Sequence, residues 1–369
     1  MEIKVLQADL AQALSTVSRA INSSNTLPIL GNVLLEAFGD NLKISGTNLE
    51  VAICANCQVE VINEGSITVP AKLLSSYVNL LPNVEVTVRA DEDLNVALET
   101  SQSKSQIKGL KAEDYPTIPD VTGDVSLSLP AESLLRMVNQ TVFACSQNGT
   151  RPILAGVYLY CDQESLYFVA TDSYRLSESK IGSKVDSSQG FGCIVPAKTM
   201  QELAKTLTGV VDEDVEVRIS DLQISFQVDG VLIVSRLIEG KFPDYKAIIP
   251  NQKKTTVEVG ASELQAAIRR LNLFAKEVNN SIHVEIDSES DSMILSTGET
   301  RVGEEKSEID VAISGDSNKI SINSQYLLDC LQVISTDKIL LEVNESVSPV
   351  KVLSPSDEDF VYIIMPLKI

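Results

Sequence analysis

Val69-Pro-Ala-Lys72, which leads into Leu73, Leu74 and Tyr77, returns later in the chain as Val195-Pro-Ala-Lys198, leading into Met200, Leu203 and Leu207. Each stretch reads as a strand running straight into a helix, since proline suits a first helical turn, where its missing N–H costs nothing. A third stretch, Ile322-Asn-Ser-Gln325 before Tyr326, Leu327 and Leu331, loses the proline and keeps the apolar spacing. Three other landmarks keep the same order, with intervals of about 125 to 130 residues. One is a one-sided helical stripe: Leu10, Leu14, Val17 and Ile21; then Leu134, Val138 and Val142; then Leu264, Ile268, Leu271 and Ala275. Asp9, Ser133 and Ser262 are the expected N-caps. Another is a threonine turn: Thr47-Asn-Leu-Glu-Val51, Thr171-Asp-Ser-Tyr-Arg-Leu176 and Thr297-Gly-Glu-Thr-Arg-Val302. The last closes two units with proline-rich linkers, Glu113 to Pro119 and Phe242 to Pro250.

Between these landmarks lie short alternating runs bounded by Gly, Asn and Asp, among them Leu42 to Ser45, Val84 to Val88, Leu94 to Leu98 and Val215 to Ile219. Leu222 to Val228 and Val231 to Leu237 are of the same kind, and such runs are strands. Two helices and about eight strands per unit, each helix able to bury one face, predict an α+β fold with helices packed on antiparallel sheets. The expected domains are 1–120, 127–250 and 251–369.

The whole chain of 369 residues is 44% hydrophobic and 22% charged, enough for each unit to bury its own core. No apolar run approaches the roughly 20 residues that span a bilayer. The opening Met-Glu-Ile-Lys-Val-Leu lacks a secretory pattern, so the expected location is cytoplasmic, away from membranes. Six cysteines are scattered, and only Cys54 and Cys57 have CxxC spacing. They fall in a strand pattern, Val51 to Val61, without a helix N-terminus or further metal ligands, so no metal site is expected. The single histidine, His283, sits in the alternating run Ile282 to Ile286. No phosphate loop, HExxH or GxSxG motif occurs, and Asp91-Glu-Asp93 and Asp212-Glu-Asp214 read as turns. The expectation is a protein with no catalytic residues and no cofactor. The net charge of −21 excludes nucleic-acid binding through a general positive excess. It leaves open an acidic β-rich interaction scaffold that never meets DNA.

Thr26-Leu-Pro-Ile-Leu-Gly31, Thr171-Asp-Ser-Tyr-Arg-Leu176, Gly240-Lys-Phe-Pro-Asp-Tyr245 and the terminal Tyr362-Ile-Ile-Met-Pro-Leu-Lys-Ile369 resemble the bacterial sliding clamps, the β subunit of DNA polymerase III. The likeness runs end to end in order and spacing. It implies three tandem clamp domains, a head-to-tail homodimer closing as a six-domain ring, and processivity for the replicative polymerase. Size arithmetic agrees. A domain of about 120 residues is roughly 35 Å across. Six in a ring leave a hole of about 35 Å, and four leave about 15 Å, against a duplex roughly 20 Å wide.

The resemblance places helices around the hole and implies DNA contact by Arg19, Lys72, Arg136, Lys198, Lys205, Arg269 and Lys276, joined by Arg151. It implies a dimer interface of Lys104, Ile107 and Lys108 against Leu273, Phe274, Glu304 and Glu305. Finally, it implies a groove for peptide motifs of polymerases, clamp loader and repair proteins. Leu154, Thr171, Tyr174, Arg175, Leu176, Pro243, Ile248, Asn323 and Tyr326 form it with Val347, Ile363, Ile364, Met365, Pro366 and Leu367. Ser24 and Asn25 stand where the family often has a basic residue, and Tyr174 and Pro349 also depart from common clamp residues.

Overall fold

Strand flows into helix without an intervening loop at nearly every helix start. The computed structural model describes residues 1–21, 27–123, 125–162, 165–182 and 190–367, so Ser24 and Asn25 lie outside the described residues. Among these are six α-helices: α1 (Gln7–Ser18), α2 (Ala71–Leu80), α3 (Ala131–Thr141), α4 (Ala197–Leu207), α5 (Ala261–Ala275) and α6 (Ser324–Leu331). Asp9, Ser133 and Ser262 are not N-caps; each lies inside the first turn of its helix. The physical reason is that the first helical amide is already used. Gln7 N–H donates to Val84 O (3.0 Å), Ala131 to Glu213 O (2.9 Å), and Ala261 to Asp337 O (2.8 Å). A neighbouring strand thus does what a side-chain cap does elsewhere. In α6 a side chain does cap the helix, with Asn323 Oδ1 accepting from Gln325 N–H and Tyr326 N–H.

The chain divides into two compact units, Met1–Leu135 with Gln201–Leu237, and Arg136–Met200 with Ile238–Ile369. The division falls inside α3 and α4 of the middle sequence repeat, so the units are not the sequence thirds.

The first unit holds a five-stranded sheet in the order Glu60–Asn63, Glu2–Leu6, Glu85–Ala90, Asn95–Glu99, Lys104–Lys108. Its eight-stranded sheet runs Val125–Pro130, Asp214–Ile219, Gln223–Val228, Val231–Arg236, Val51–Gln58, Asn41–Thr47, Asn32–Phe38, Gly65–Pro70. The second unit holds a nine-stranded sheet, in which Gly192–Pro196, Gly156–Asp162, Ser165–Thr171 and Arg175–Gly182 are followed by Asp357–Ile364, Val350–Ser354, Lys338–Val343, Thr255–Gly260 and Ala312–Gly315. Its four-stranded sheet runs Lys306–Asp310, Ser292–Ser296, Ser281–Asp287, Asn318–Asn323.

Both large sheets contain the same seam. The last strand of one repeat pairs antiparallel with the strand that follows the threonine turn of the repeat before it. Val234 lies opposite Ala52 and Ser235 opposite Val51; Ile363 lies opposite Leu176 and Ile364 opposite Arg175.

The helical stripes bury as their period demands. Leu10, Leu14 and Val17 of α1 and Leu264, Ile268 and Leu271 of α5 are almost wholly excluded from solvent. Each such side chain contributes roughly 1.5–3 kcal/mol through apolar burial. Against α1, a Cβ on Gly46 would stand 2.7 Å from Val17 Cγ1, so that position requires glycine. The linker residues Tyr115 and Tyr245 are buried anchors: Tyr115 Oη donates to Asn32 O (3.1 Å) and accepts from Thr47 N–H (3.2 Å).

Candidate functional site

Thr171 ends a strand and its hydroxyl donates to Arg175 O (2.6 Å) while accepting from Ser173 N–H (3.1 Å). Asp172 Oδ1 accepts from Tyr174 N–H (2.9 Å) and Arg175 N–H (3.0 Å), closing a turn in which Ser173 takes φ 82°. Aspartate and threonine suit this because short polar side chains satisfy turn amides locally. The turn throws Tyr174 outward, 63% exposed, and returns Arg175 inward, 7% exposed.

Arg175 organises what surrounds it. Its Nε donates to Asp172 Oδ2 (3.0 Å), one terminal nitrogen to Asp329 Oδ2 (2.5 Å) and the other to Phe143 O (2.7 Å). Its guanidinium lies 4.6 Å from the Tyr326 ring centroid. The planar fork meets three acceptors and two rings, those of Tyr326 and Phe143, at once, which an ammonium does not do. Burial near Asp172 raises the Tyr326 phenol above its usual range, and burial pushes the Cys145 thiol up to about 12. Both shifts lead away from neutral pH, so neither group is readied for proton transfer.

Beside the turn, Leu154, Leu176 and Ile363 pack with Val169, Ile194, Phe242 and Tyr245 in one apolar cluster, with Ile249 against it. Pro243 and Ile248 stand exposed on the segment that carries those aromatics. Tyr245 Oη donates to the Glu178 carboxylate and shares a 2.6 Å hydrogen bond with Tyr160 Oη, which pins that segment down. After the last strand, Met365 N–H donates to Tyr174 O and Leu367 N–H to Ser321 O, each at 2.8 Å, holding half-buried Met365, Pro366 and Leu367 against the unit.

The structure therefore brings together most of the expected groove, with two corrections. Ile364 is fully buried and lines a small void with Leu264, Leu327 and Val352, on the opposite side of its strand from Ile363. It is core, because side chains alternate across a strand. Thr171 is buried and serves the turn rather than a surface. Val347 is exposed on the loop between Lys338–Val343 and Val350–Ser354.

The basic residues divide. Arg19 is not on a solvated face: its Nε lies 3.3 Å from Glu202 Oε2 in an ion pair and its terminal nitrogen donates to Thr206 Oγ1 (2.8 Å). Burial pulls its pKa down, with Glu202 offsetting part of that. Lys205 pairs with the same Glu202 (2.9 Å), and Arg136 with Asp357 (3.2 Å). Lys72, Lys198, Arg269 and Lys276 are exposed on or just after helices. Arg151 belongs to no helix; it donates to Ser173 Oγ (3.0 Å) beside the groove turn.

Of the expected dimer residues, Ile107 is 6% exposed and packs in the core of the first unit. The outward positions of its strand are Lys104, Gln106 and Lys108; Lys104 pairs with Glu99 (2.7 Å) and Lys108 donates to Asn95. Among the described residues, that strand and Lys306–Asp310 are each the outer strand of a sheet. Leu273 is 68% exposed, and Phe274 lies beside Gly303. Arg270 ties α5 to the second edge through Glu305 (3.4 Å) and Ser307 (3.1 Å). Exposed Leu73 and half-buried Tyr77 form an outward apolar face on α2 that sequence reasoning missed, and Tyr77 Oη reaches Ser103 Oγ at 3.5 Å.

Cys54 and Cys57 are buried strand residues, and burial pushes the Cys57 thiol up to about 11. His283 Nδ1 shares a 2.7 Å hydrogen bond with Ser321 Oγ.

Family models of the DNA polymerase III beta subunit match the chain three times in succession: the N-terminal domain over residues 1–119, the central domain over 128–244 and the C-terminal domain over 246–368. The beta sliding clamp of Synechocystis sp. is 31% identical over 389 residues, spanning 100% of both chains. The solved sliding clamp of Bacillus subtilis superposes with a TM-score of 0.95 at 27% identity, covering 100% of this chain and 99% of that one. The DNA polymerase III subunit beta of Pseudomonas aeruginosa does so at 0.95 and 29%, with 100% of both covered. The fold is thus that of a clamp protein, three tandem α+β clamp domains with antiparallel sheets. The chain belongs to the DNA polymerase III beta subunit family, the beta sliding clamps, and its function is that of a sliding clamp in DNA replication rather than of an interaction scaffold.

Proposed function

We propose that two copies close head to tail as a ring around duplex DNA and act without chemistry of their own, as a mobile tether conferring processivity. The observation that carries this is that two of the outer sheet strands, Lys104–Lys108 and Lys306–Asp310, are each flanked by apolar residues of a helix. Free edges are templates for pairing with another chain. Leu73 and Tyr77 beside one edge suit Leu273 and Phe274 beside the other, and Lys104 and Lys108 suit Glu304 and Glu305. A heterologous contact that closes after one twofold rotation leaves no end exposed.

A ring retains DNA by topology, which reconciles a net charge of −21 with DNA as the partner. Each phosphate contact steepens salt dependence and slows sliding, so few basic groups suffice. Lys72, Lys198, Arg269 and Lys276 are the proposed contacts because each is exposed on or just after a helix; Arg19, Arg136 and Lys205 also lie in ion pairs with carboxylates. Loaded onto a nicked circular plasmid, the protein should co-elute with the circle through high-salt gel filtration, and cutting the circle once should release it. Retention on the linear form would mean that affinity, not enclosure, holds it.

The groove in the second unit is the proposed dock for peptide motifs of the replicative polymerase, clamp loader and repair proteins. Leu154, Leu176 and Ile363 supply a buried apolar floor, and Met365 an adaptable wall, on which a few aliphatic or aromatic anchors could seat. Removing Leu367 to Ile369 deletes the N–H bonded to Ser321 O and should weaken peptide binding at least about ten-fold, while the dimer mass stays unchanged. Equal peptide affinity before and after truncation would be incompatible with this groove. No described helix is long and apolar enough to cross a membrane, and the proposed place of action is the bacterial cytoplasm.

A further inference from the structure

We infer that the first unit carries a second docking groove, the repeat counterpart of the one above, suited to an extended peptide bearing one aliphatic residue beside one carboxylate. The inference rests on a bond-for-bond repeat. Thr47 Oγ1 donates to Val51 O (3.0 Å) and accepts from Leu49 N–H (3.0 Å), as Thr171 does with Arg175 and Ser173. Asn48 Oδ1 accepts from Glu50 N–H (3.0 Å) and Val51 N–H (2.8 Å), as Asp172 does from Tyr174 and Arg175. Leu49 takes φ 75° where Ser173 takes 82°. Arg236 N–H donates to Glu50 O (2.9 Å) where Met365 N–H donates to Tyr174 O. The third threonine turn does not repeat this: Thr297 Oγ1 accepts from Glu305 N–H (3.0 Å) instead.

The repeated frame borders a half-open cleft. A cavity of about 190 Å³ is lined by Val51, Ala52, Ile118, Val234, Leu49 and Arg236 among others. A void of roughly 150 Å³ already accepts a benzene-sized group. Val51, Ala52 and Val234 are buried and form an apolar floor, in the places held by Arg175, Leu176 and Ile363 in the other unit. What differs is the rim.

Arg236 replaces Met365, is exposed, and its guanidinium has no ion-pair or hydrogen-bond partner among the described residues. A carboxylate beside the anchoring side chain would complete it through a charge-assisted, two-pronged hydrogen bond. Glu50, exposed on the same rim, disfavours a second acidic residue. The substitution of a charge for a flexible thioether gives the two grooves different preferences, so partners need not compete for one site.

The test uses the full-length dimer with isotope-labelled Ile, Leu and Val methyls, titrated with acetyl-Asp-Leu-Ala-amide to millimolar concentration. Saturable shifts should appear at the Val51, Ile118 and Val234 methyls, and Arg236→Gln should raise the Kd at least ten-fold while leaving the methyl spectrum folded. Absence of saturable shifts at these methyls, or an unchanged Kd in Arg236→Gln, overturns the inference. Because the analogy leans on the second unit's groove, the Leu154, Leu176 and Ile363 methyls are read in the same titration. They report that groove separately, so failure of one reading does not mask failure of the other.

Discussion

Arg175→Ala is expected to destabilise the protein by about 3 kcal/mol, the lower end of the roughly 3–5 kcal/mol typical when one partner of a buried ion pair is removed. The charge is not the only loss. Asp172 and Asp329 would keep carboxylates with no counter-charge, and Phe143 O would lose its donor. The two carboxylates retain some solvent access, at 14% and 23% of their side-chain surface, which is why the lower figure is chosen. Arg175→Lys should recover only a minority of the loss, since an ammonium cannot reach acceptors in three directions or stack on Tyr326. Urea denaturation followed by circular dichroism measures both. A loss below about 1 kcal/mol would show the network to be no stronger than an exposed ion pair. Peptide binding should fall together with stability, because the same turn presents Tyr174 and holds Met365 through its carbonyl.

Where the signal is periodic, it is legible in the sequence alone. The stripes through Leu14 and Ile268 bury as their spacing requires, and the threonine turns of the first two repeats have one geometry. The helix starts were misread because an amide satisfied by a carbonyl far along the chain leaves no local mark; Asp9 looked like a cap only because Val84 O is invisible in sequence. The seams were illegible for the same reason. Alternation tells which face of a strand is buried, not which strand lies beside it, so nothing local announces that Val234 meets Ala52. Ile107 was misplaced by its charged neighbours, although alternation through Ser105 and Ile107 points those two positions inward. Arg19 and Arg136 looked like solvated helix surface because Glu202 and Asp357 are remote in the chain. One miss was avoidable. Leu73-Leu74 and Tyr77-Val78 carry two apolar stripes on one helix, and a helix buries only one against its own sheet, leaving Leu73 and Tyr77 for something else.

Leu273→Asp is expected to divide the assembly into monomers, shifting the mass measured by light scattering from twice 40.0 kDa to 40.0 kDa at micromolar concentration. In a head-to-tail ring the substitution acts at two interfaces. Each loses about 1.5–3 kcal/mol of apolar burial, and each must also desolvate a carboxylate near Phe274 and the acidic pair Glu304 and Glu305. Together this weakens association by roughly 10⁴-fold or more. The fold of the subunit should be untouched, because Leu273 is 68% exposed and contributes nothing to its core. The informative step comes next. Lys72, Lys198, Arg269 and Lys276 are unaltered in this variant, so a protein held on DNA by affinity would stay bound, whereas one held by enclosure would be lost from the nicked circle. A variant that remains dimeric below micromolar concentration would remove Leu273 from the interface, and a monomeric variant still retained on the circle would refute enclosure as the source of processivity.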